Sequence, residues 1–122
     1  MDLSFLRGMF GANGGSAQAS WTDVQVAAAA KRKQEFRIID VREPGEYTGD
    51  LGHIEGAELV PLATVTSAAK SWNTDTPILV VCRSGGRSAR AAEALAQMGF
   101  GKIHNMTGGM MAWNSAGLPV VR

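Results

Sequence analysis

Residues 77–99 constrain the chain more than any other stretch, because three kinds of backbone follow one another in a single run: Pro-Ile-Leu-Val-Val-Cys-Arg-Ser-Gly-Gly-Arg-Ser-Ala-Arg-Ala-Ala-Glu-Ala-Leu-Ala-Gln-Met-Gly. Ile78 to Val81 is a short, continuous apolar segment rich in β-branched residues and opened by Pro77. It predicts a strand covered on both faces, as in a parallel sheet. From Ser88 onward Ala89, Ala92, Leu95 and Ala96 supply an apolar helical face and Gly99 a stop, so Ser88 is the expected N-cap. The single cysteine, Cys82, falls where strand gives way to loop.

Between strand and helix, Cys82 to Arg87 form a loop with Gly85 and Gly86 at its centre. Glycines let such a loop curl so that successive N–H groups point inward and form a nest for an anion. The following helix adds the positive end of its dipole, and Arg83, Arg87 and Arg90 add formal charge with no acidic residue before Glu93. A thiol in that field has a lowered pKa and reacts as thiolate, which makes Cys82 the candidate nucleophile. Plainer readings stand beside this one: a buried structural cysteine, solvated surface arginines, and glycines that merely join a strand to a helix.

A length of 122 residues with 45% hydrophobic content suits one domain with one core. Twelve basic residues against 11 acidic ones leave a net charge of +1, so no bulk field attracts nucleic acid or an anionic membrane. One cysteine cannot form an internal disulfide, and one thiol with two histidines argues against a zinc site. No apolar run approaches the ~20 residues that span a bilayer. The expectation is a cytoplasmic protein with no cofactor, no metal, no nucleic-acid partner and no membrane span.

Residues 1–19 read as a flexible N-terminal segment ahead of a domain at 20–122. They hold a small apolar patch, Leu3, Phe5, Leu6, Met9 and Phe10, and then a Gly/Ala/Ser-rich linker. Asp2 in place of a basic start and Arg7 inside the apolar stretch speak against a signal peptide. Thr22 to Gln25 fits a capping box that starts an alanine-rich helix running to Lys33. Arg37 to Asp40 reads as a second strand, Pro44-Gly45 as a turn leading into a helical turn at Glu46-Tyr47, and Leu59-Val60 as a third strand. A helix is expected over 62–72, a last strand over Ile103 to Asn105 and a last helix over Met110 to Asn114. Trp21, Trp72 and Trp113 are assigned to packing and His104 to a structural role; Met110 and Met111 are weaker candidates to face a substrate. Alternating strands and helices predict an α/β layered domain with a mostly parallel sheet and helices on both faces. Such sheets place ligands beyond the carboxyl ends of their strands, where Asp40 and Arg42 could share a crevice with Cys82.

The Cys-Arg-Ser-Gly-Gly-Arg-Ser loop resembles the active-site loop of the rhodanese family of sulfurtransferases. Ile-Ile-Asp-Val-Arg at 38–42, Gly-His-Ile-Glu-Gly-Ala at 52–57 and Gly-Gly-Met-Met-Ala-Trp-Asn-Ser-Ala-Gly-Leu-Pro-Val at 108–120 resemble its other signatures, in the same order. The resemblance spans roughly residues 20–121 and implies a three-layer rhodanese-like domain. It implies that Cys82 carries sulfur as a persulfide and that Arg83, Ser84, Gly85, Gly86, Arg87 and Ser88 bind substrate and persulfide. Asp40, Arg42 and His53 then act as supports around them. The implied reaction moves sulfane sulfur from thiosulfate or another small anionic donor to cyanide, a small thiol or a protein acceptor, in two ping-pong halves. A sulfur-relay or protein-binding module without efficient small-molecule turnover is the alternative. A phosphatase or arsenate reductase is a further one, although related phosphatases have one more residue between cysteine and arginine than the four between Cys82 and Arg87.

Overall fold

The computed structural model describes residues 20–122; the N-terminal apolar patch and linker lie outside the described residues. Among the described residues five strands form one parallel sheet: β1 (Thr22–Val24), β2 (Arg37–Asp40), β3 (Glu58–Leu59), β4 (Ile78–Val81) and β5 (Ile103–Met106). Their spatial order is β1-β5-β4-β2-β3. Connections from β2 lead outward to β3, whereas those from β4 lead the other way to β5. The order therefore reverses between β2 and β4, where Asp40 lies in register with Val81, and open α/β sheets bind ligands at such a reversal.

The helices are α1 (Val26–Lys31), α2 (Pro44–Tyr47), α3 (Val65–Ala69), α4 (Gly86–Gln97) and α5 (Gly109–Ser115). Alternation along each strand sends side chains to opposite faces. Ile39, Val41, Ile78, Val80, Cys82 and Ile103 pack on one face with Val65 and Ala69 of α3 and Ala91, Ala92 and Leu95 of α4. Ile38, Leu79, Val81, Val24 and Met106 pack on the other with Ala29 of α1 and Met110 and Trp113 of α5. The sheet is thus covered on both sides, which is why β4 reads as unbroken apolar sequence. Among the described residues no helix is long and apolar enough to cross a membrane.

Three local expectations are corrected. Thr22 and Asp23 do not cap a helix; they form the edge strand β1 beside β5, and α1 starts only at Val26, with no side-chain cap on Gln25. Pairing with a distant strand outweighs the local capping preference. Residues 62–72 do not form one helix: a 3₁₀ turn at Leu62–Thr64 precedes the five-residue α3, as the β-branched Val65 and Thr66 allow. Ser88 is not an N-cap, because Gly85 takes that place with φ +108°, a left-handed conformation open to glycine, and α4 begins two residues earlier.

Trp113 closes the core as expected, buried and donating its indole N–H to Pro119 O at 2.9 Å. Trp72 meets Phe100 edge-on, and Trp21 packs against the α4 side while bonding Glu93. His104 holds Thr22 Oγ1 at 2.7 Å and leans on the Phe36 ring. Met110 is fully buried, whereas Met111 is 46% exposed.

Candidate active site

Cys82 follows β4 directly and is only 1% exposed. Burial was the plainer reading of this residue, and by area it holds; the surroundings of the sulfur are nevertheless polar. Gly85 N–H donates to Sγ at 3.1 Å, and Ser88 Oγ lies 3.3 Å away. Burial pushes the thiol pKa up, but the Ser88 hydroxyl and the N–H groups of Ser88, Gly85 and Ser84 outweigh it, so the pKa lies below the ordinary thiol value. The 12-residue α4 adds its positive end beside the sulfur, with no acidic side chain in its first turn.

The start of α5 holds the loop through backbone contacts. Gly108 and Gly109 both have positive φ, +77° and +57°, and bring the start of α5 against the strand end. Met110 N–H donates to Cys82 O at 2.8 Å and Met111 N–H to Arg83 O at 3.0 Å. A Cβ on Gly109 would collide with the carbonyls of Cys82 and Arg83, and one on Gly85 would crowd Gly108 N. The Gly-Gly pair of the C-terminal signature therefore exists to admit the Cys82 loop.

Of the loop arginines, Arg83 is exposed, as are Ser84 and Gly86. The Arg87 guanidinium forms a two-pronged pair with Glu46 of α2, at 2.7 and 2.8 Å. Both side chains are about a third exposed, at 31%. Bonding to Arg87 first, and the Glu43 N–H and nearby guanidiniums besides, holds the Glu46 carboxyl down at about 2 against the opposing effect of burial. Glu46 was not singled out in the sequence, where only the basic loop called for an acidic partner.

Asp40 and Arg42 form a wholly buried pair, with Arg42 Nε 2.9 Å from Asp40 Oδ1 and Nη2 2.7 Å from Oδ2. Two further guanidinium N–H groups donate to Gly52 O at 2.8 Å and Glu46 O at 3.2 Å. Glu46 links these two residues to the loop: its carbonyl meets Arg42 and its carboxylate meets Arg87. His53 is not brought to the loop: Nδ1 sits 2.8 Å from Tyr47 O, its ring stacks on Tyr47 at 3.6 Å, and its backbone pairs with Val121.

Behind the sulfur, Ser88 Oγ donates to Asn105 Oδ1 at 2.5 Å, and Asn105 Nδ2 donates to Asp23 Oδ1 at 3.1 Å. Neither Asn105 nor Asp23 stood out in the sequence. A polar residue inside the short β5 run was the signal that could have marked Asn105.

A parallel α/β sheet with a thiol seated in a donor-lined loop at its switch point defines the class as an α/β domain arranged around one cysteine. The rhodanese-like domain family matches residues 23–116, and the chain belongs to that family. It is 36% identical over 102 residues to the uncharacterized protein YqhL of Bacillus subtilis, covering 78% of this chain and 79% of that one. Over 84 residues it is 36% identical to the thiosulfate sulfurtransferase GlpE of Pseudoalteromonas translucida, covering 69% of this chain and 78% of the relative. Among solved structures, a rhodanese-related protein from Thermoplasma volcanium superposes with a TM-score of 0.75 at 30% identity, covering 82% of this chain and 97% of the other. Its relatives place the chain among sulfurtransferase-type proteins.

Proposed function

We propose that the protein is a sulfurtransferase that carries sulfane sulfur on Cys82, with thiosulfate or a similar small anion as donor and cyanide or a thiol as acceptor. The observation that carries this reading is the Cys82 sulfur at the β4 end, with Gly85 N–H at 3.1 Å and a lowered pKa. Its kinship with a thiosulfate sulfurtransferase supports the choice of donor. A thiol without a disulfide partner stays reduced in the cytoplasm, where we place the reaction.

In the first half, the Cys82 thiolate attacks the outer sulfur of thiosulfate. The S–S bond breaks, sulfite leaves with the bonding pair, and Cys82 becomes a persulfide. In the second half, cyanide or a thiolate attacks that outer sulfur, and Cys82 leaves as thiolate. The loop N–H groups of Ser84, Gly85 and Ser88 are the donors available to a negative sulfur in both halves. Arg83 at the mouth attracts the donor, and Arg87, braced by Glu46, holds positive charge beside it. Asp40 and Arg42 keep Glu46 in place. With so little of Cys82 exposed, a slender anion reaches the sulfur more readily than a bulky one.

Incubation with thiosulfate followed by intact-mass measurement tests the reading. Wild type gains one sulfur, about 32 Da, and Cys82→Ser gains none. A wild type that stays unmodified, or a Cys82→Ser variant that gains the same mass, overturns it. Turnover of an aryl phosphate in place of sulfur uptake would point to the phosphatase reading instead.

A further inference from the structure

The hydroxyl of Ser88 has one proton and too many neighbours for it. Within hydrogen-bond reach of Oγ lie Asn105 Oδ1 at 2.5 Å, Gly85 O at 3.2 Å and Cys82 Sγ at 3.3 Å. Two of these can only accept, and the sulfur can donate as a thiol or accept as a thiolate. Where the proton goes decides which form of Cys82 the pocket favours.

Asp23 settles the orientation of the Asn105 amide. The two residues are register partners in the parallel pair β1–β5, so their side chains share a face of the sheet. A carboxylate accepts only, so the amide presents Nδ2 to Asp23 Oδ1 at 3.1 Å and turns Oδ1 toward Ser88. Asn105 is buried at 4% exposure, which leaves Oδ1 dependent on that hydroxyl proton. With the proton committed there, the contact between Cys82 and Ser88 is made by S–H donating to Oγ, the thiol form.

A negative sulfur requires the reverse arrangement. Ser88 must then donate to Sγ, and Asn105 must turn over so that Nδ2 donates to Ser88 Oγ. That turn brings Oδ1 against the Asp23 carboxylate, two acceptors face to face. The negative charge of an exposed edge-strand residue is thereby felt at a buried sulfur.

We propose that Asp23 and Asn105 are positioning residues for Cys82: Asp23 fixes the Asn105 amide, and the amide directs the Ser88 proton toward or away from the sulfur. This assignment rests on the reading of Cys82 as the reacting sulfur. It adds a device by which the Ser88 proton lies on Asn105 while the sulfur is a thiol and passes to the sulfur when the anionic form turns the amide. The other charged groups around the sulfur act through space: Arg83 and Arg87 beside it, Glu46 of α2 on Arg87, and Asp40 with Arg42 at the end of β2. The helices α3 and α5 carry no ionisable side chain, and His104 of β5 packs on the opposite face against Phe36.

The test is the pH midpoint of iodoacetamide alkylation of Cys82, the only cysteine, read by intact mass in wild type, Asp23→Ala, Ser88→Ala and the double variant. Asp23→Ala releases the amide and lowers the midpoint by about half a pH unit or more, the size of one hydrogen bond gained by the charged form. On the Ser88→Ala background the same substitution leaves the midpoint unmoved. An unmoved midpoint in Asp23→Ala overturns the proposal. So does an equal shift on both backgrounds, which would report only the field of the removed carboxylate. Asp23 is exposed, so its loss spares the core. Alkylation needs no sulfur donor: a wild type that takes no sulfur from thiosulfate refutes the sulfurtransferase reading alone, and a sulfurated wild type with an unmoved Asp23→Ala midpoint refutes the positioning role alone.

Discussion

Two arginines, Arg42 and Arg87, each grip a carboxylate with two prongs, and they do so in opposite surroundings. Arg42 and Asp40 are buried to within 1% of their side-chain area, and the guanidinium also donates to the carbonyls of Gly52 and Glu46. Arg87 and Glu46 are 31% exposed and stand beside the Cys82 loop. The first pair is closed off from any ligand by burial, and its removal would strand a charge in the interior. The second is wet enough to open, so its strength is modest and its partner can change. Similar geometry therefore serves the fold in one place and leaves a charge available to chemistry in the other. Glu46 joins the two, which makes α2 the strut between sheet and loop.

Breaking the buried member of the comparison should have the largest effect. Arg42→Ala leaves Asp40 without a partner and is expected to cost about 3–5 kcal/mol, read as a lower urea midpoint. A loss below 1 kcal/mol would show that water reaches the pair. Gly109→Ala follows, at about 2–5 kcal/mol, because the residue must hold φ +57° and its Cβ meets the Cys82 and Arg83 carbonyls. Its persulfide capacity should fall with the displaced loop, measured as sulfur gained per chain; full loading would show that the close approach is dispensable.

The exposed member should respond differently. Glu46→Gln is expected to change stability by no more than about 1 kcal/mol. It frees Arg87 for the donor, so the KM for thiosulfate should fall, roughly two- to fivefold for one partly exposed charge contact. A raised KM would mean that Glu46 orients Arg87 instead of competing for it. The pH dependence has a fixed sign: the Glu46 pKa is depressed from 4.5 to about 2, so its stabilisation is complete above 4.5 and is lost as pH falls through about 2. Urea midpoints of wild type and Glu46→Gln should differ at pH 6 and converge on the way to about pH 2. Smallest of all is Arg83→Ala, whose exposed side chain should leave stability within about 0.5 kcal/mol. It should raise the thiosulfate KM by an amount that shrinks with added salt.

What could be read in the sequence was whatever neighbouring residues decide among themselves. The β4 strand, the glycine loop and the start of a helix lie within one continuous run, and Cys82 stood out because its neighbours alone define its field. The helical turn at Glu46-Tyr47 was legible in the same way, although Pro44 and Gly45, read as a turn before it, are its first residues. What could not be read joins residues far apart: Glu46 to Arg87 across 41 positions, Ser88 to Asn105 across 17, and Asn105 to Asp23 across 82. Thr22 and Asp23 show the cost of reading locally, since their capping pattern is genuine in isolation and is overridden by a strand at the other end of the chain. His53 shows the converse, a residue inside a signature that folds toward Tyr47 and Val121 and not toward the thiol.

The backbone clasp between α5 and the Cys82 loop bears on how this scaffold can diverge. Cys82 O and Arg83 O are moored to Met110 and Met111, while Gly85 abuts Gly108, so both rims of the loop are tied to one helix start. Inserting a residue to enlarge the ring would drag those moorings apart unless the distant glycine pair moved with it. The bore of the loop is thus a property of two segments together. Lineages that change the size of the anion they accept should show compensating changes after the fifth strand, a correlation that can be sought without purifying any of them.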